Sequence, residues 1–218
     1  MTNKIEAVIF DLDGVIVSTD DCHFRAWKRM ADGEGIPFDR QINERLRGVS
    51  RMESLDIVLE RAARTYTGEE KAALAARKNE YYRQLLADLT PRDVLPGAKQ
   101  ILLSLRLRGV RIAIGSSSRN APLILEKIGL AGLFDAVADG NGISRSKPDP
   151  EVFLLAARLL NMEPERCVVV EDAFAGILAA KAAGMKAVGV GYAQACDLAD
   201  DTAASLDEMS VERLLLPN

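Results

Sequence analysis

The chain has 218 residues, which is enough for one domain with a full hydrophobic core or for a core domain that carries a smaller insert. Its 28 basic and 32 acidic residues give a net charge of −4, and neither sign gathers into a long run. These features exclude proteins that bind nucleic acid or an anionic membrane through a strongly charged surface.

Three cysteines, Cys22, Cys167 and Cys196, are widely spaced and form no CxxC pair. This argues against a disulfide framework or a zinc site and indicates a reducing compartment. The first residues lack the apolar core of a signal peptide, and no apolar run approaches the ~18 residues of a membrane span. We therefore expect a soluble protein of the cytoplasm.

The first predicted element is a strand over residues 7–10, an apolar run that delivers Asp11 and Asp13 at its carboxyl end. Successive side chains of a strand alternate faces, so these two carboxylates share a site only if the strand has ended and Gly14 lets the backbone turn. Two carboxylates so close together repel each other, and a bound divalent cation usually offsets their charge. In open parallel α/β sheets, the carboxyl ends of the strands form the ligand crevice.

A helical stretch comes next, in which apolar residues recur at three-to-four spacing among Ala, Leu, Arg, Glu and Lys. We predict four helical segments, over residues 21–33, 42–46, 51–66 and 69–89. Linkers at residues 18–20 and 90–97 bound this stretch. We therefore predict a helical cap domain over residues 18–94, inserted into a core made of residues 1–17 and 95–218.

The pattern after Gly97 alternates between helix and strand. We predict helices that end at residue 108 and that cover residues 121–130, 151–160 and 176–183. The predicted strands cover residues 110–114, 136–138, 167–170 and 187–190. This is typical of an α/β core, a parallel sheet with helices on both faces. Strand 7–10 should join that sheet, because a lone strand is not stable.

Further polar groups follow the later strands. Residues 115–120, Gly-Ser-Ser-Ser-Arg-Asn, precede a helix, where small hydroxyl residues and free backbone amides make a phosphate cradle. Lys147 lies in a loop, where a lysine can pair with both a phosphate and a carboxylate. Glu171 and Asp172 end another strand. Carboxylates beside a phosphate suit Mg²⁺.

The chain contains, in this order, the motifs DxDGV, Ser-Ser-Ser, SKPDP and ED. With these motifs it resembles the haloacid dehalogenase-like phosphotransferase superfamily over its whole length. Its insert is similar to that of the β-phosphoglucomutase family. The matching cap positions are Thr19, His23-Phe24-Arg25-Ala26-Trp27, Gly48-Val49-Ser50-Arg51, Ser54 and Arg77-Lys78-Asn79. The resemblance implies a Rossmann-like core, while the cap is the part that selects a substrate.

The resemblance also implies catalytic roles. Asp11 would be the nucleophile that becomes an aspartyl phosphate, and Asp13 the general acid/base, which requires a raised pKa. Ser116 and Lys147 would hold the transferring phosphoryl oxygens. Thr19 and His23 would sit at the hinge that couples cap closure to Asp13. The implied Mg²⁺ ligands are Asp11, the backbone carbonyl of Asp13, Glu171 and Asp172.

Substrate-binding roles follow in the same way. The implied set is Gly48, Val49, Ser50, Arg51, Ser54, Lys78, Ser117, Ser118, Arg119 and Asn120. Within it, Arg51, Ser118 and Asn120 would grip the phosphate that is not being transferred. The implied reaction converts β-glucose 1-phosphate to glucose 6-phosphate through β-glucose 1,6-bisphosphate. The expected partner is a small sugar phosphate, and the expected state is a monomer.

Other interpretations stay open at this point. Ser117 could be only an N-cap for the helix at Ala121, and Lys147 could be a solvated loop lysine. Glu171 or Asp172 could cap the helix that follows, while Arg51 and Lys78 would ordinarily be surface charges. Three positions depart from the family pattern: Ser18, Arg119 and Ala173. The alternative functions are an Mg²⁺-dependent sugar-phosphate phosphatase of the same superfamily and a non-catalytic sugar-phosphate sensor.

Overall fold

The computed structural model describes residues 4–216, and within them a six-stranded parallel sheet forms the centre of the molecule. The strands are β1 (Ala7–Phe10), β2 (Arg111–Gly115), β3 (Ala136–Ala138), β4 (Cys167–Glu171), β5 (Lys186–Val190) and β6 (Asp201–Ala203). Their order across the sheet is β3-β2-β1-β4-β5-β6. The first strand in the chain therefore lies in the middle, where the strand order reverses and open α/β sheets bind ligands.

Helices cover both faces of this sheet. The helices that follow residue 97 are α5 (Ala98–Leu107), α6 (Ala121–Lys127), α7 (Glu151–Leu160), α8 (Phe174–Ala182) and α9 (Val211–Leu214). Val8 and Phe10 of β1 pack in one cluster with α5 and α6, whereas Ala7 and Ile9 pack in another with α7 and α8. Because alternate side chains of β1 enter opposite clusters, its four residues are all buried, which explains the unbroken apolar run.

In chain order, four helices come between β1 and β2. They are α1 (Asp20–Gly33), α2 (Arg40–Glu44), α3 (Arg51–Leu59) and α4 (Gly68–Leu86). They share a separate hydrophobic cluster around Trp27, Met30, Phe38 and Leu55. The predicted α/β fold with a parallel sheet, helices on both faces and an all-helical insert is confirmed.

Some predicted bounds were wrong. The helix predicted over residues 51–66 ends at Leu59. The next helix, α4, starts at a capping box formed by Thr67 and Glu70, so the residues between α3 and α4 must reverse the direction of the chain. The helix predicted over residues 121–130 ends at Lys127, just before Gly129 takes a positive φ of 71°. Strand β6 was missed because its three residues, Asp-Thr-Ala, give almost no apolar signal.

Candidate active site

Asp11 stands at the end of β1, in the middle of the sheet. Its backbone amide donates to Val170 O of β4 at 2.9 Å, so the chain is still held in the sheet at this residue. Beyond it the backbone turns: Gly14 has a φ of 83°, and its amide donates to Val17 O at 2.8 Å. As the sequence predicted, the strand ends at this point and Gly14 supports the turn.

Lys147 is buried between two carboxylates. Its Nζ donates to Asp11 Oδ1 and, at 2.6 Å, to Glu171 Oε1. Burial alone would lower the pKa of Lys147, but Asp11 and Glu171 raise it above the ordinary lysine value. Lys147 is therefore a cation throughout the physiological range, and its interpretation as a solvated loop lysine is wrong.

Three carboxylates converge beside this lysine. One oxygen each from Asp11, Glu171 and Asp172 lies within 4.8 Å of the others. Burial, followed by the charges of Glu171 and Asp11, raises the pKa of Asp172 to about 8. The pKa of Glu171 is also raised, mainly by burial. Burial and mutual repulsion thus disfavour full ionisation of the three carboxylates beside a single lysine, and a divalent cation would favour it; hard oxygen donors of this kind fit such a cation.

Two glycines allow this convergence. A Cβ on Gly14 would overlap the carboxylate of Asp172, and a Cβ on Gly176 of α8 would overlap that of Glu171. Glu171 Oε2 also accepts from the Ala173 backbone amide at 2.7 Å, which fixes its orientation at the start of α8. Glu171 thus contacts the backbone ahead of α8 and also belongs to the acidic cluster. Its interpretation as a helix cap and its interpretation as a metal ligand are therefore compatible.

The Asp13 side chain lies outside the acidic cluster and points toward α1. Its Oδ1 accepts a hydrogen bond from the hydroxyl of Thr19, which is buried. Burial and the charge of Asp11 raise the pKa of Asp13 to about 7, although Thr19 opposes the rise. A carboxyl group with this pKa can both give and take a proton near neutral pH, as a general acid/base must.

The hydroxyl loop after β2 is organised by its own hydrogen bonds. Ser116 is buried, and its Oγ accepts from the Ser118 amide at 3.1 Å. Ser118 Oγ in turn accepts from the Asn120 amide at 3.2 Å. The interpretation of Ser117 as an N-cap is wrong, since its Oγ is buried with no hydrogen-bond partner among the described residues and Asn120 occupies the N-cap position of α6. A buried hydroxyl without a partner among the described residues is suited to donate to a bound anion.

Lys78 of α4 is buried among aromatic rings, so its interpretation as a surface charge is wrong. Its Nζ lies 4.8 Å from the centroid of the Trp27 ring and 4.5 Å from that of Tyr82. It also lies 3.0 Å from His23 Nδ1. Burial and then the charge of Arg51 lower the pKa of Lys78 to about 7. Burial, Lys78 and Arg51 lower the pKa of His23, so His23 is neutral and can accept from Lys78.

The start of α3 supplies three further predicted cap residues. Ser50 is engaged in a capping box with Glu53, in which its Oγ accepts from the Glu53 amide at 3.3 Å. Ser54 is buried one turn into the helix. Burial and the nearby guanidinium of Arg119 lower the pKa of Arg51. A bound anion would offset the repulsion between these two guanidinium groups, one on α3 and the other in the loop after β2.

The insert also contacts the core near the site. Asn120 Nδ2 donates to Asn79 Oδ1 of α4 at 3.0 Å. Gly48, with a φ of 74°, is so close to the residues after Asp172 that a Cβ on it would lie 3.1 Å from Ala173 Cβ. Val49 follows Gly48 and is half-buried. Gly48 of the insert and Asn120 of the core, both predicted to bind substrate, thus lie at contacts between the insert and the core.

Sequence reasoning missed two residues near these contacts. Tyr82 packs its ring against His23, with centroids 4.2 Å apart, and also lies beside Lys78. Asn79 received no role of its own, although it contacts Asn120. Tyr82 follows Lys78 by four residues on α4 and so shares its helix face, a spacing that could have identified it.

Comparison with known proteins agrees with this geometry. A family model described as haloacid dehalogenase-like hydrolase matches residues 5–184. The chain is 46% identical to a β-phosphoglucomutase of Bacillus subtilis over 96% of its own length and 94% of that protein's. It is 33% identical to a phosphorylated carbohydrates phosphatase of Thermotoga maritima, with 84% of each chain covered.

A solved structure gives the same result. The β-phosphoglucomutase of Clostridium difficile superposes with a TM-score of 0.91 at 40% identity, covering 96% of this chain and 95% of that one. Across residues 4–216, none of the helices combines the length and apolarity needed to cross a bilayer. The chain belongs to the haloacid dehalogenase-like hydrolases and, within them, to the β-phosphoglucomutase family.

Proposed function

We propose that this protein is a β-phosphoglucomutase that interconverts β-D-glucose 1-phosphate and D-glucose 6-phosphate. The observation that carries the proposal is the 46% identity to the Bacillus subtilis β-phosphoglucomutase over 96% of this chain, which includes the inserted helices as well as the core. The insert matters most, because the core chemistry is shared by phosphatases and mutases and the insert distinguishes their substrates.

In the first transfer, a phosphorylated Asp11 gives its phosphoryl group to the C6 hydroxyl of β-glucose 1-phosphate. The hydroxyl oxygen forms the new bond to phosphorus, the bond from phosphorus to the Asp11 oxygen breaks, and Asp13 takes the hydroxyl proton. The product is β-glucose 1,6-bisphosphate. A pKa of about 7 for Asp13 supports this role, because the group is partly ionised at neutral pH.

The second transfer reverses these steps at the other end of the sugar. After the bisphosphate has turned around, Asp11 attacks the phosphorus at C1 and Asp13 returns its proton to the departing O1. Lys147, which already donates to Asp11, would hold the equatorial phosphoryl oxygens together with Ser116. Glucose 6-phosphate is released, and Asp11 is phosphorylated again.

Mg²⁺ is the cation that we propose for the acidic cluster, with Asp11, Glu171, Asp172 and the backbone carbonyl of Asp13 as protein ligands. When bound, it would supply positive charge against the phosphoryl oxygens. The clustering of three carboxylates beside one lysine supports this assignment, because their ionised forms would repel one another without a cation. Hard carboxylate oxygens that leave room for a substrate phosphate favour Mg²⁺ over softer metals.

The phosphate that is not transferred would bind between the insert and the core. Arg51, Ser118, Arg119 and Asn120 are the proposed ligands, and the repulsion between Arg51 and Arg119, which an anion would offset, supports them. Lys78, beside His23, would contact the sugar or its phosphate, together with Gly48, Val49, Ser50, Ser54 and Ser117. Thr19, at the start of α1, would move with this helix and so orient the Asp13 carboxyl group through their hydrogen bond.

A sugar-phosphate phosphatase is the second candidate. The 33% identity to the Thermotoga maritima phosphorylated carbohydrates phosphatase favours it, since the two enzymes would share phosphorylation of Asp11 and differ only in the acceptor. A mutase passes the group to a sugar, and a phosphatase passes it to water. We also propose that residues 18–94 act as one cap domain on the core of residues 1–17 and 95–218; a monomer in the cytoplasm stays a prediction.

A coupled assay separates the two candidates. Purified protein is incubated with Mg²⁺, β-glucose 1-phosphate and a trace of glucose 1,6-bisphosphate, while glucose 6-phosphate and free phosphate are followed together. Glucose 6-phosphate without matching free phosphate, lost in Asp11→Asn, would establish the mutase. Free phosphate equal to the substrate consumed would make the protein a phosphatase, and no turnover with β-glucose 1-phosphate would exclude the proposed substrate.

A further inference from the structure

Arg47 of the insert contacts Tyr192 of the core. It lies in the segment between α2 and α3, and its guanidinium stacks on the ring of Tyr192, which follows β5, at 4.1 Å from the centroid. Arg47 Nη2 also donates to the Tyr192 hydroxyl at 3.3 Å. Tyr192 is 54% exposed, so burial within the core does not explain its position.

The same guanidinium also reaches the start of α1. Arg47 Nη2 lies 3.1 Å from Asp20 Oδ2, and Asn43 Nδ2 donates to the other oxygen of Asp20 at 3.2 Å. Asp20 is the first residue of α1 and directly follows Thr19, which donates to Asp13. The Arg47 side chain thus connects Tyr192 of the core with the end of α1 that positions the proposed general acid/base.

The residue after Arg47 tightens this contact. Gly48 packs so closely on α8 that a Cβ on it would lie 3.1 Å from Ala173 Cβ and 3.6 Å from Ala175 Cβ. Ala173 directly follows Asp172 of the acidic cluster. The stack of Arg47 on Tyr192 therefore holds the insert at a point where its backbone covers the edge of the acidic cluster.

We propose that Arg47 and Tyr192 form a latch that keeps the insert closed over phosphorylated Asp11 and so keeps water from acting as the acceptor. Both are positioning residues, and the inference deepens the proposed function by naming what favours a sugar acceptor. In the reaction that the latch suppresses, a water oxygen bonds to phosphorus and the bond from phosphorus to Asp11 breaks. The carboxylate of Asp11 is restored, and the water proton passes to Asp13 or to the released phosphate.

The test compares Tyr192→Leu, which removes the aromatic face, with Tyr192→Phe, which keeps it. Each protein is phosphorylated by acetyl phosphate with Mg²⁺ and without sugar, and the lifetime of the aspartyl phosphate is measured. We expect Tyr192→Leu to shorten the lifetime by about two- to thirtyfold, the range that a cation–π contact can supply. Tyr192→Phe should stay within about twofold of wild type, because the stack persists.

Arg47→Met tests the other half of the contact and should shorten the lifetime by a similar factor. Hydrogen exchange of the backbone amides of residues 47–50 gives a second readout, which should rise in Arg47→Met and Tyr192→Leu but not in Tyr192→Phe. Equal lifetimes for Tyr192→Leu and wild type, or equal effects of the Leu and Phe variants, would overturn the latch.

The design separates this inference from the proposed function. Lifetime and exchange are measured without any sugar, so they report on the latch whether the natural acceptor is glucose phosphate or water. If wild type makes no glucose 6-phosphate in the coupled assay but Tyr192→Leu still shortens the lifetime, the mutase assignment fails and the latch stands. If wild type makes glucose 6-phosphate and the lifetimes are equal, the latch fails alone.

Discussion

Lys147 Nζ donates to Glu171 Oε1 over 2.6 Å, and the two side chains are only 2% and 1% exposed. Ions so deeply buried lose their hydration, and the loss is offset only by close pairing and further hydrogen bonds. Lys147 has Asp11 as a second partner, and Glu171 has the Ala173 amide. The ion pair therefore holds two proposed metal ligands in position before any metal binds.

Removing this lysine should destabilise the protein. In Lys147→Met, Asp11 and Glu171 lose their shared cation, and we expect the free energy of unfolding to fall by about 3–5 kcal/mol in EDTA. Urea unfolding at pH 7 measures the change. Lys181→Met removes an exposed lysine paired with Asp200 and should cost less than about 1 kcal/mol. Similar losses in the two variants would contradict the importance of the buried pair.

Gly14→Ala should weaken metal binding through a steric clash. Its Cβ would overlap the Asp172 carboxylate, so we expect Mg²⁺ affinity to fall by about tenfold or more, as measured by calorimetry. The matched control is Gly184→Ala, since Gly184 has a similar positive φ of 76° but nothing within 4 Å of the added Cβ. Both variants should lose about 1–2 kcal/mol of stability from backbone strain. Unchanged Mg²⁺ affinity in Gly14→Ala would argue against Asp172 as a ligand.

Lys78 should make stability depend on pH. Its pKa falls from 10.5 to about 7 on folding, so between these values the unfolded chain binds more protons and stability rises with pH. Below pH 7 the penalty for burying the charge is fully present. Lys78→Met should therefore be more stable than wild type by on the order of a few kcal/mol at pH 6, a gain that shrinks toward pH 10.

Unfolding of Lys78→Met and wild type at several pH values checks this expectation. Lys71→Met, on the same helix but with an exposed partner, Asp56, is the control and should change stability by less than about 1 kcal/mol. The same Lys78→Met protein should show a raised KM for sugar phosphate if Lys78 binds substrate. A pH-independent difference from wild type would show that burial and Arg51 do not disfavour the charge of Lys78.

Thr19→Val should impair catalysis without affecting the metal site. The variant keeps the shape of the buried Thr19 side chain but removes the hydroxyl that donates to Asp13. We expect kcat to fall by about ten- to a hundredfold, part of what a positioned general acid/base contributes. Mg²⁺ affinity should stay within about twofold, since Thr19 does not contact the acidic cluster. A matching loss of Mg²⁺ affinity would show that the whole loop after β1 had moved.

The features that could be predicted from the sequence are those that depend on local patterns of apolar and polar residues. The apolar run Ala7–Phe10 identified a strand buried on both faces, and the polar residues after each strand could be placed at one sheet edge, because parallel strands share their carboxyl ends. The meeting of Asp11 with Glu171 and Asp172 followed from that rule. The family resemblance then supplied roles that spacing alone leaves open.

The parts that could not be predicted depend on contacts between distant segments. No pattern indicates that Lys78 lies between the rings of Trp27 and Tyr82, because that requires the packing of α1 against α4. The contact of Arg47 with Tyr192 joins residues far apart in the chain, and neither residue belongs to a recognisable motif. Strand β6 is held as an edge strand by its neighbour β5 more than by its own residue preferences.

The central position of β1 also affects how the nascent chain folds. Both strands that pair with β1 come later in the sequence, and the first of them, β2, begins about 100 residues after Phe10. At about 5–20 residues per second, the ribosome leaves β1 unpaired for roughly 5–20 s. Helices α1 to α4 have their own hydrophobic cluster and emerge in that interval. During synthesis, the segment most in need of chaperone protection is therefore the strand that ends up most deeply enclosed.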